Sequence, residues 1–188
     1  MRIIAGEYKG RKIDNVKGAD IRYTADRVKE SLFSILSGII SESRFLDLYS
    51  GSGNVGIEAF SRGAKPVVFV DINPICINSV SANLERLGIE SNSPEIRLMR
   101  MNASLAIEYF RRHKIIFDII FIDPPYRIGL VEKTLLEISS NNILAEDGDI
   151  IVEHDVKEKV SSVIDKLTLA RQEKYGTTIL SFYRRVMS

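Results

Sequence analysis

Five short, mostly apolar runs recur along this chain, each followed or preceded by a segment with helical spacing, and that alternation restricts the fold more than any other feature. The runs are Phe45–Tyr49, Val67–Val70, Glu95–Met101, Phe117–Ile122 and Asp149–Glu153. Helical patterns occupy residues 54–62, 74–87, 104–112 and 130–139, and a short helix is expected near 158–165. Pro74 at a first helical position and Gly88 just past a last one mark the limits of the second pattern. Near-continuous apolar strands alternating with helices imply a mostly parallel sheet, covered on both faces. The end of the chain departs from this rhythm. Residues 167–175 and 178–185 are strand-like and are joined at Gly176-Thr177, too close for a helical crossover, so they pair antiparallel.

Ahead of the alternation, Thr24 can cap a helix from about Ala25 to Gly38, with an apolar stripe of Val28, Leu32, Ile35 and Ile39. Residues 1–22 read as two short strands with turn glycines at Gly6, Gly10 and Gly18. The expected organisation is a basic β-hairpin extension over 1–22 and a main domain over 23–188. At 188 residues the chain is long enough for one well-filled core.

Several function classes drop out on composition. No apolar run approaches the roughly 20 residues that span a bilayer, and the first residues carry no signal-peptide core. Cys76 is the single cysteine, which excludes an intrachain disulfide, and with only His113 and His154 beside it no metal-ligand spacing exists. A cytoplasmic, metal-free monomer is the expectation. Net charge is only +1, but residues 1–30 hold eight Lys/Arg against five Asp/Glu. Lys9, Arg11, Lys12 and Arg22 of that basic arm are candidates to meet nucleic-acid phosphates, or are simply solvated.

Two motifs carry chemistry. Gly51-Ser52-Gly53-Asn54-Val55-Gly56 follows the first strand and opens a helix, the arrangement in which a tight turn lets a nucleoside cofactor approach the backbone. Asp71, 20 residues after Gly51 at the end of the second strand, is placed for ribose hydroxyls. Dinucleotides and S-adenosylmethionine share such an acid. Asp47 favours the methyl donor, because a carboxylate four residues before Gly51 can face a cationic amino-acid end. It can equally bond the amides of its own turn.

The second motif is Asp123-Pro124-Pro125-Tyr126, where the run Phe117–Ile122 empties onto the ligand-binding edge of the sheet. An exocyclic amine on a purine is a poor nucleophile, since its lone pair is delocalised into the ring. Acceptors that hold both N–H bonds favour pyramidalisation as the methyl arrives. The Asp123 carboxylate and the Pro124 carbonyl can take one N–H each, and Pro125 biases Pro124 to an extended form that keeps its carbonyl aimed. Tyr126 offers a stacking face for the base, an interaction worth about 1–3 kcal/mol.

On these residues the chain resembles the class I S-adenosylmethionine-dependent methyltransferases, and more closely the bacterial 16S rRNA guanine-N2-methyltransferase (RsmD-like) family. The specific likeness lies in Ile4–Ile13 and Arg22–Leu36, with Asp47–Ala59, Asp123–Tyr126, Gly148–His154 and Tyr175–Thr178 following the same pattern. The resemblance implies a Rossmann-like, seven-stranded sheet with an antiparallel last strand. It implies S-adenosylmethionine as donor and a guanine of 16S rRNA, in the small ribosomal subunit or a late assembly particle, as acceptor. By position it implies Asp47, Tyr49, Gly51, Ser52 and Gly53 around the donor's amino-acid end, Asp71 and Ile72 at its ribose, Asn102 and Ala103 by the adenine, and Asp123, Pro124 and Tyr126 on the target base. Asn102 stands where related enzymes often have Asp, and its side-chain oxygen can still accept a hydrogen bond.

Other readings stay open on the sequence. An amino-methyltransferase could act on DNA adenine N6 or protein glutamine N5 with the same motifs. A nicotinamide-dependent oxidoreductase, or a non-catalytic RNA-binding assembly module, could share the fold. His113, beside Arg111 and Arg112, reads as a helix-end residue. His154 follows Glu153 at the ligand-binding edge, so both a site role and a packing role are open. Cys76 reads as a small buried residue.

Overall fold

The five apolar runs become the parallel spine of one eight-stranded sheet in the computed structural model, which describes residues 1–16, 24–90, 93–125 and 129–186. The spine is β1 (Phe45–Leu48), β2 (Val67–Asp71), β3 (Ile96–Arg100), β4 (Phe117–Ile122) and β5 (Leu144–Asp155). It is completed by β6 (Val163–Ile164), β7 (Leu167–Tyr175) and β8 (Thr178–Arg185). Spatial order is β3-β2-β1-β4-β5-β8-β7-β6. β8 inserts antiparallel between β5 and β7, as the short Gly176-Thr177 connection requires.

Each strand feeds both faces, because successive side chains alternate. On one face Phe45, Val67, Phe69 and Phe121 pack under α1 (Asp26–Ile35), α2 (Asn54–Ser61) and α3 (Pro74–Leu87). On the other, Leu46, Val68, Ile120 and Val152 pack under α4 (Ala103–Arg112) and α5 (Leu130–Asn141). The parallel order reverses between β1 and β4, so the loops leaving these two strands diverge to opposite faces and open a crevice above their C-terminal ends.

Three local expectations are corrected. Thr24 does not cap α1. The N-cap is Ala25, without a side-chain bond, and Thr24 Oγ1 donates to Glu153 Oε2 on β5 at 2.7 Å. A buried carboxylate oxygen in need of a donor outcompetes the local cap. The helix near 158–165 is absent, and β6 forms there instead, which brings the strand count to eight rather than seven. Ser161 donates through its backbone N–H to Glu132 Oε1 (2.9 Å) and accepts from Tyr183 Oη through its carbonyl (2.8 Å). These bonds divert the backbone groups a helix would need. Residues 1–16 form a hairpin-like loop held by a single antiparallel bridge, Arg2 to Lys12, rather than two paired strands. Its Ile3 and Ile13 are buried in the core shared with α1 and α2.

Among the described residues no helix is long and apolar enough to cross a membrane, and no cluster of three or more His, Cys, Asp or Glu could hold a metal. Gly18, Arg22 and Tyr126 lie outside the described residues.

Candidate active site

A cavity of about 870 Å³ occupies the crevice where the strand order reverses. The loops after β1, β2, β3 and β4 wall it, and Asp155 at the end of β5 joins them. The two motifs, 72 residues apart in sequence, therefore share one chamber.

The loop after β1 turns sharply. Tyr49 sits at φ +74°, a left-handed conformation that a bulky residue adopts only under strain, and its hydroxyl lies 2.9 Å from Thr134 Oγ1 on α5. Gly53, at φ +78°, is the N-cap of α2. A Cβ there would point towards Val80 and Ile57, so Gly53 shapes the loop without lining the cavity. Gly56 serves packing: a Cβ would lie 2.3 Å from the Phe69 ring and 2.9 Å from Asp47 Oδ2. Helix α2 can thus lie directly on the sheet with its N-terminus aimed at the cavity.

Asp47 is buried on β1, lines the cavity, and accepts from the Gly56 N–H through Oδ2 at 2.8 Å. Burial pushes its carboxyl up to about 7, against the opposing pull of that amide. Both sequence readings of Asp47 are thus compatible with its position, since one carboxylate oxygen holds the turn while the residue borders the chamber. Next to it, the hydroxyls of Ser50 and Ser52 are buried and find no hydrogen-bond partner among the described residues. Both residues line the cavity. A buried hydroxyl without a partner is costly, and a polar ligand group that reached this loop would relieve that cost.

At the end of β2, Asp71 Oδ2 accepts from the Gly51 N–H (3.0 Å) and Oδ1 from the Asn73 N–H (2.8 Å), which ties the second strand end to the glycine turn. The Cys76 thiol also bonds this carboxylate, which still has acceptor capacity for a ligand hydroxyl. Ile72 beside it is largely exposed along the wall. Asn102 and Ala103 line the far side after β3, and Asn102 Oδ1 caps α4 by accepting from the Leu105 N–H at 2.8 Å. Met101 and Val70 add apolar surface between them.

Asp123, Pro124 and Pro125 follow β4 directly and border the chamber opposite the glycine loop. Phe121, Leu130 and Lys133 complete that side. The donor set fits S-adenosylmethionine: partnerless serine hydroxyls, a helix N-terminus and Asp47 for the zwitterionic amino-acid end, Asp71 for the ribose, and apolar walls for the adenine.

Sequence reasoning missed Thr24, Ser50, Asn54, Lys133 and Asp155, all of which line the cavity. Asn54 sits inside the glycine motif and Ser50 directly before it, and both could have been included. Thr24 and Asp155 reach the cavity through long-range packing and carried no local signal. Cys76 is buried as expected but also borders the chamber, and burial raises its thiol to about 12, leaving it protonated and inert. His154 does not line the cavity. It is buried with Nε2 at 2.8 Å from Ser181 Oγ, and desolvation lowers its pKa, so it packs as a neutral ring. His113 follows α4 and stacks on Tyr109. Of the basic arm, Arg11 donates to the Arg86 carbonyl at the end of α3 (2.8 Å), whereas Lys9 and Lys12 are exposed.

The family model described as "Conserved hypothetical protein 95" matches residues 1–184. The chain belongs to this family. It is 33% identical to the Haemophilus influenzae protein named "Ribosomal RNA small subunit methyltransferase D", over 98% of this chain and 93% of that one. It is 36% identical to the Bacillus subtilis protein named "Putative rRNA methyltransferase YlbH", over 98% and 99% of the two chains. Among solved structures it is similar to one titled "Putative methyltransferase yhhF from Escherichia coli", with a TM-score of 0.84 and 31% identity over 100% of this chain and 99% of that one. The fold is that of the class I methyltransferases.

Proposed function

We propose that this protein transfers a methyl group from S-adenosylmethionine to the exocyclic N2 amine of a guanine in 16S rRNA. One observation carries the reading: the Asp123-Pro124-Pro125 wall and the glycine loop with its partnerless serines face one chamber, in a chain similar along its length to proteins named for small-subunit rRNA methylation. When bound, S-adenosylmethionine supplies an electrophilic methyl group.

Around it, Ser50, Ser52, Asp47 and the amides opening α2 orient the amino-acid end, and Asp71 holds the ribose. Asp123 and the Pro124 carbonyl accept the two N–H bonds of the guanine amine, concentrating electron density on nitrogen along the line of attack. After transfer the cationic nitrogen gives up a proton to the Asp123 carboxylate that accepts its N–H, and from there to solvent, so no base has to act beforehand. Tyr126 stacks on the base. Residues 1–22 form an extension to the catalytic domain of 23–188 and lend Lys9, Lys12 and Arg22 to RNA phosphates. The enzyme acts as a cytoplasmic monomer on the small subunit or a late assembly particle.

The test is transfer of labelled methyl to unmodified small ribosomal subunits, with the product nucleoside identified by mass spectrometry. The expected product is N2-methylguanosine, lost in Asp123→Ala while S-adenosylhomocysteine still binds. A different methylated nucleoside, or full activity in Asp123→Ala, overturns the assignment.

A further inference from the structure

The N-terminal segment is fastened to the glycine loop at two points, one on each side of Gly53. Asn83 on α3 is buried; its Nδ2 donates to the Asp14 carbonyl and to the Ser52 carbonyl, both at 3.1 Å, and its Oδ1 accepts from the Asp14 N–H at 2.9 Å. One side chain thus bridges the segment to the residue before Gly53. On the other side, the fully buried Lys29 donates through Nζ to the Arg2 carbonyl (2.9 Å) and to Asn54 Oδ1 (2.7 Å), and pairs with Glu58 (3.3 Å). Asn54 follows Gly53 and in turn donates to the Thr24 carbonyl at 3.3 Å.

The segment has its own anchor on the far end of α2. Glu58 accepts from the Ile4 and Ala5 N–H groups at 2.8 and 3.0 Å, and Ser61 accepts from the Glu7 N–H at 2.8 Å and donates to the Ala5 carbonyl at 2.7 Å. The approach there is close: a Cβ on Gly6, which sits at φ +85°, would lie 1.8 Å from the Ser61 carbonyl oxygen. All three Nζ protons of Lys29 and both amide protons of Asn83 are therefore committed to joining the segment, the loop and the helix behind it. Neither side chain lines the cavity.

We propose that residues 1–16 are a positioning element of the donor-binding loop, with Asn83 and Lys29 as the positioning residues, so that donor occupancy and docking of the N-terminal segment are energetically coupled. Ser52 carries both the carbonyl that Asn83 holds and a buried, partnerless hydroxyl, and the residue lines the chamber. A ligand that fixes this residue restricts the loop to the conformations in which Asn83 also reaches Asp14. By linkage, the same free energy acts in both directions. An RNA that seats the segment then tightens the donor site, and the donor prepares the segment for RNA. The inference rests on the glycine loop being the donor site.

The test is backbone amide exchange with and without S-adenosylhomocysteine, paired with calorimetric binding to Asn83→Ala, Gly6→Ala and Ile164→Ala. Ile164 is buried in the cluster on the other face of the sheet, beside α5 and away from the segment, and serves as a control for general destabilisation. Saturating ligand should slow exchange at the Ile3, Gly10 and Ile13 amides, which close the N-terminal loop, and this slowing should be lost in Asn83→Ala. Gly6→Ala and Asn83→Ala should each weaken S-adenosylhomocysteine binding about tenfold, with Ile164→Ala leaving it unchanged. Ligand that binds the wild type without altering exchange in the segment overturns the coupling and leaves the donor site standing. Wild-type protein that does not bind the ligand overturns both.

Discussion

Asp47 makes the stability of this protein depend on pH in the direction opposite to a salt-bridged carboxylate. Its folded carboxyl lies at about 7 because it is buried with only the Gly56 amide in compensation. In the unfolded chain an Asp titrates near about 3.9. The folded state therefore binds this proton more tightly, and the stabilisation is fully present below the unfolded value. It is lost as pH rises through the folded one. A difference of about 3 units corresponds to about 4 kcal/mol at the acid limit, of which about 2.5 kcal/mol disappears between pH 5 and pH 8.

Other groups titrate in the same range, so the quantity to read is the difference between wild type and Asp47→Asn. Urea unfolding of both proteins at pH 5 and pH 8 should show the wild type losing about 2–3 kcal/mol more than the variant on going to the higher pH. Parallel pH dependence in the two proteins would refute the reasoning. The same proton predicts a functional signature. If the donor's ammonium group faces Asp47, binding selects the ionised form, and S-adenosylhomocysteine affinity falls as pH drops below about 7, by up to about tenfold per unit. Binding in Asp47→Asn should be weaker and flat across that range.

The close seat of α2 gives a second expectation: Gly56→Ala forces a methyl against the fully buried Phe69 ring and Asp47, and should cost about 1–3 kcal/mol, read as a drop of roughly 2–4 °C in Tm per kcal/mol. Unchanged Tm would mean that the helix can shift freely. Replacing Lys9 and Lys12 together, and sparing Arg11 because it caps α3, should reduce the salt dependence of RNA binding by about 0.7 in slope for each phosphate no longer neutralised. S-adenosylhomocysteine affinity should not change, and an unaltered salt slope would remove the two lysines from the RNA interface.

Where the sequence spoke for itself, local patterning was sufficient. The run Phe117–Ile122, apolar but for Asp118 and too short for a typical helix, reads as a strand buried on both faces, and the spacing of Pro74 and Gly88 bounds a helix whatever surrounds it. The dipeptide Gly176-Thr177 leaves no length for a crossover, which forces β7 and β8 antiparallel. The two chemical motifs were legible for the same reason, since each is a contiguous loop at the end of such a strand. What tertiary structure alone decided are the places where a distant partner overrode a local preference. Thr24 had the chemistry of a cap, yet its hydroxyl went to Glu153, 129 residues away. Residues 158–165 had helical spacing, yet Glu132 and Tyr183 claimed the backbone of Ser161 and left room only for β6. Asn83 and Lys29 carry no motif at all. Their importance arises because folding brings the segment 1–16 against the glycine loop, and a buried amide or ammonium must find partners wherever the fold places it.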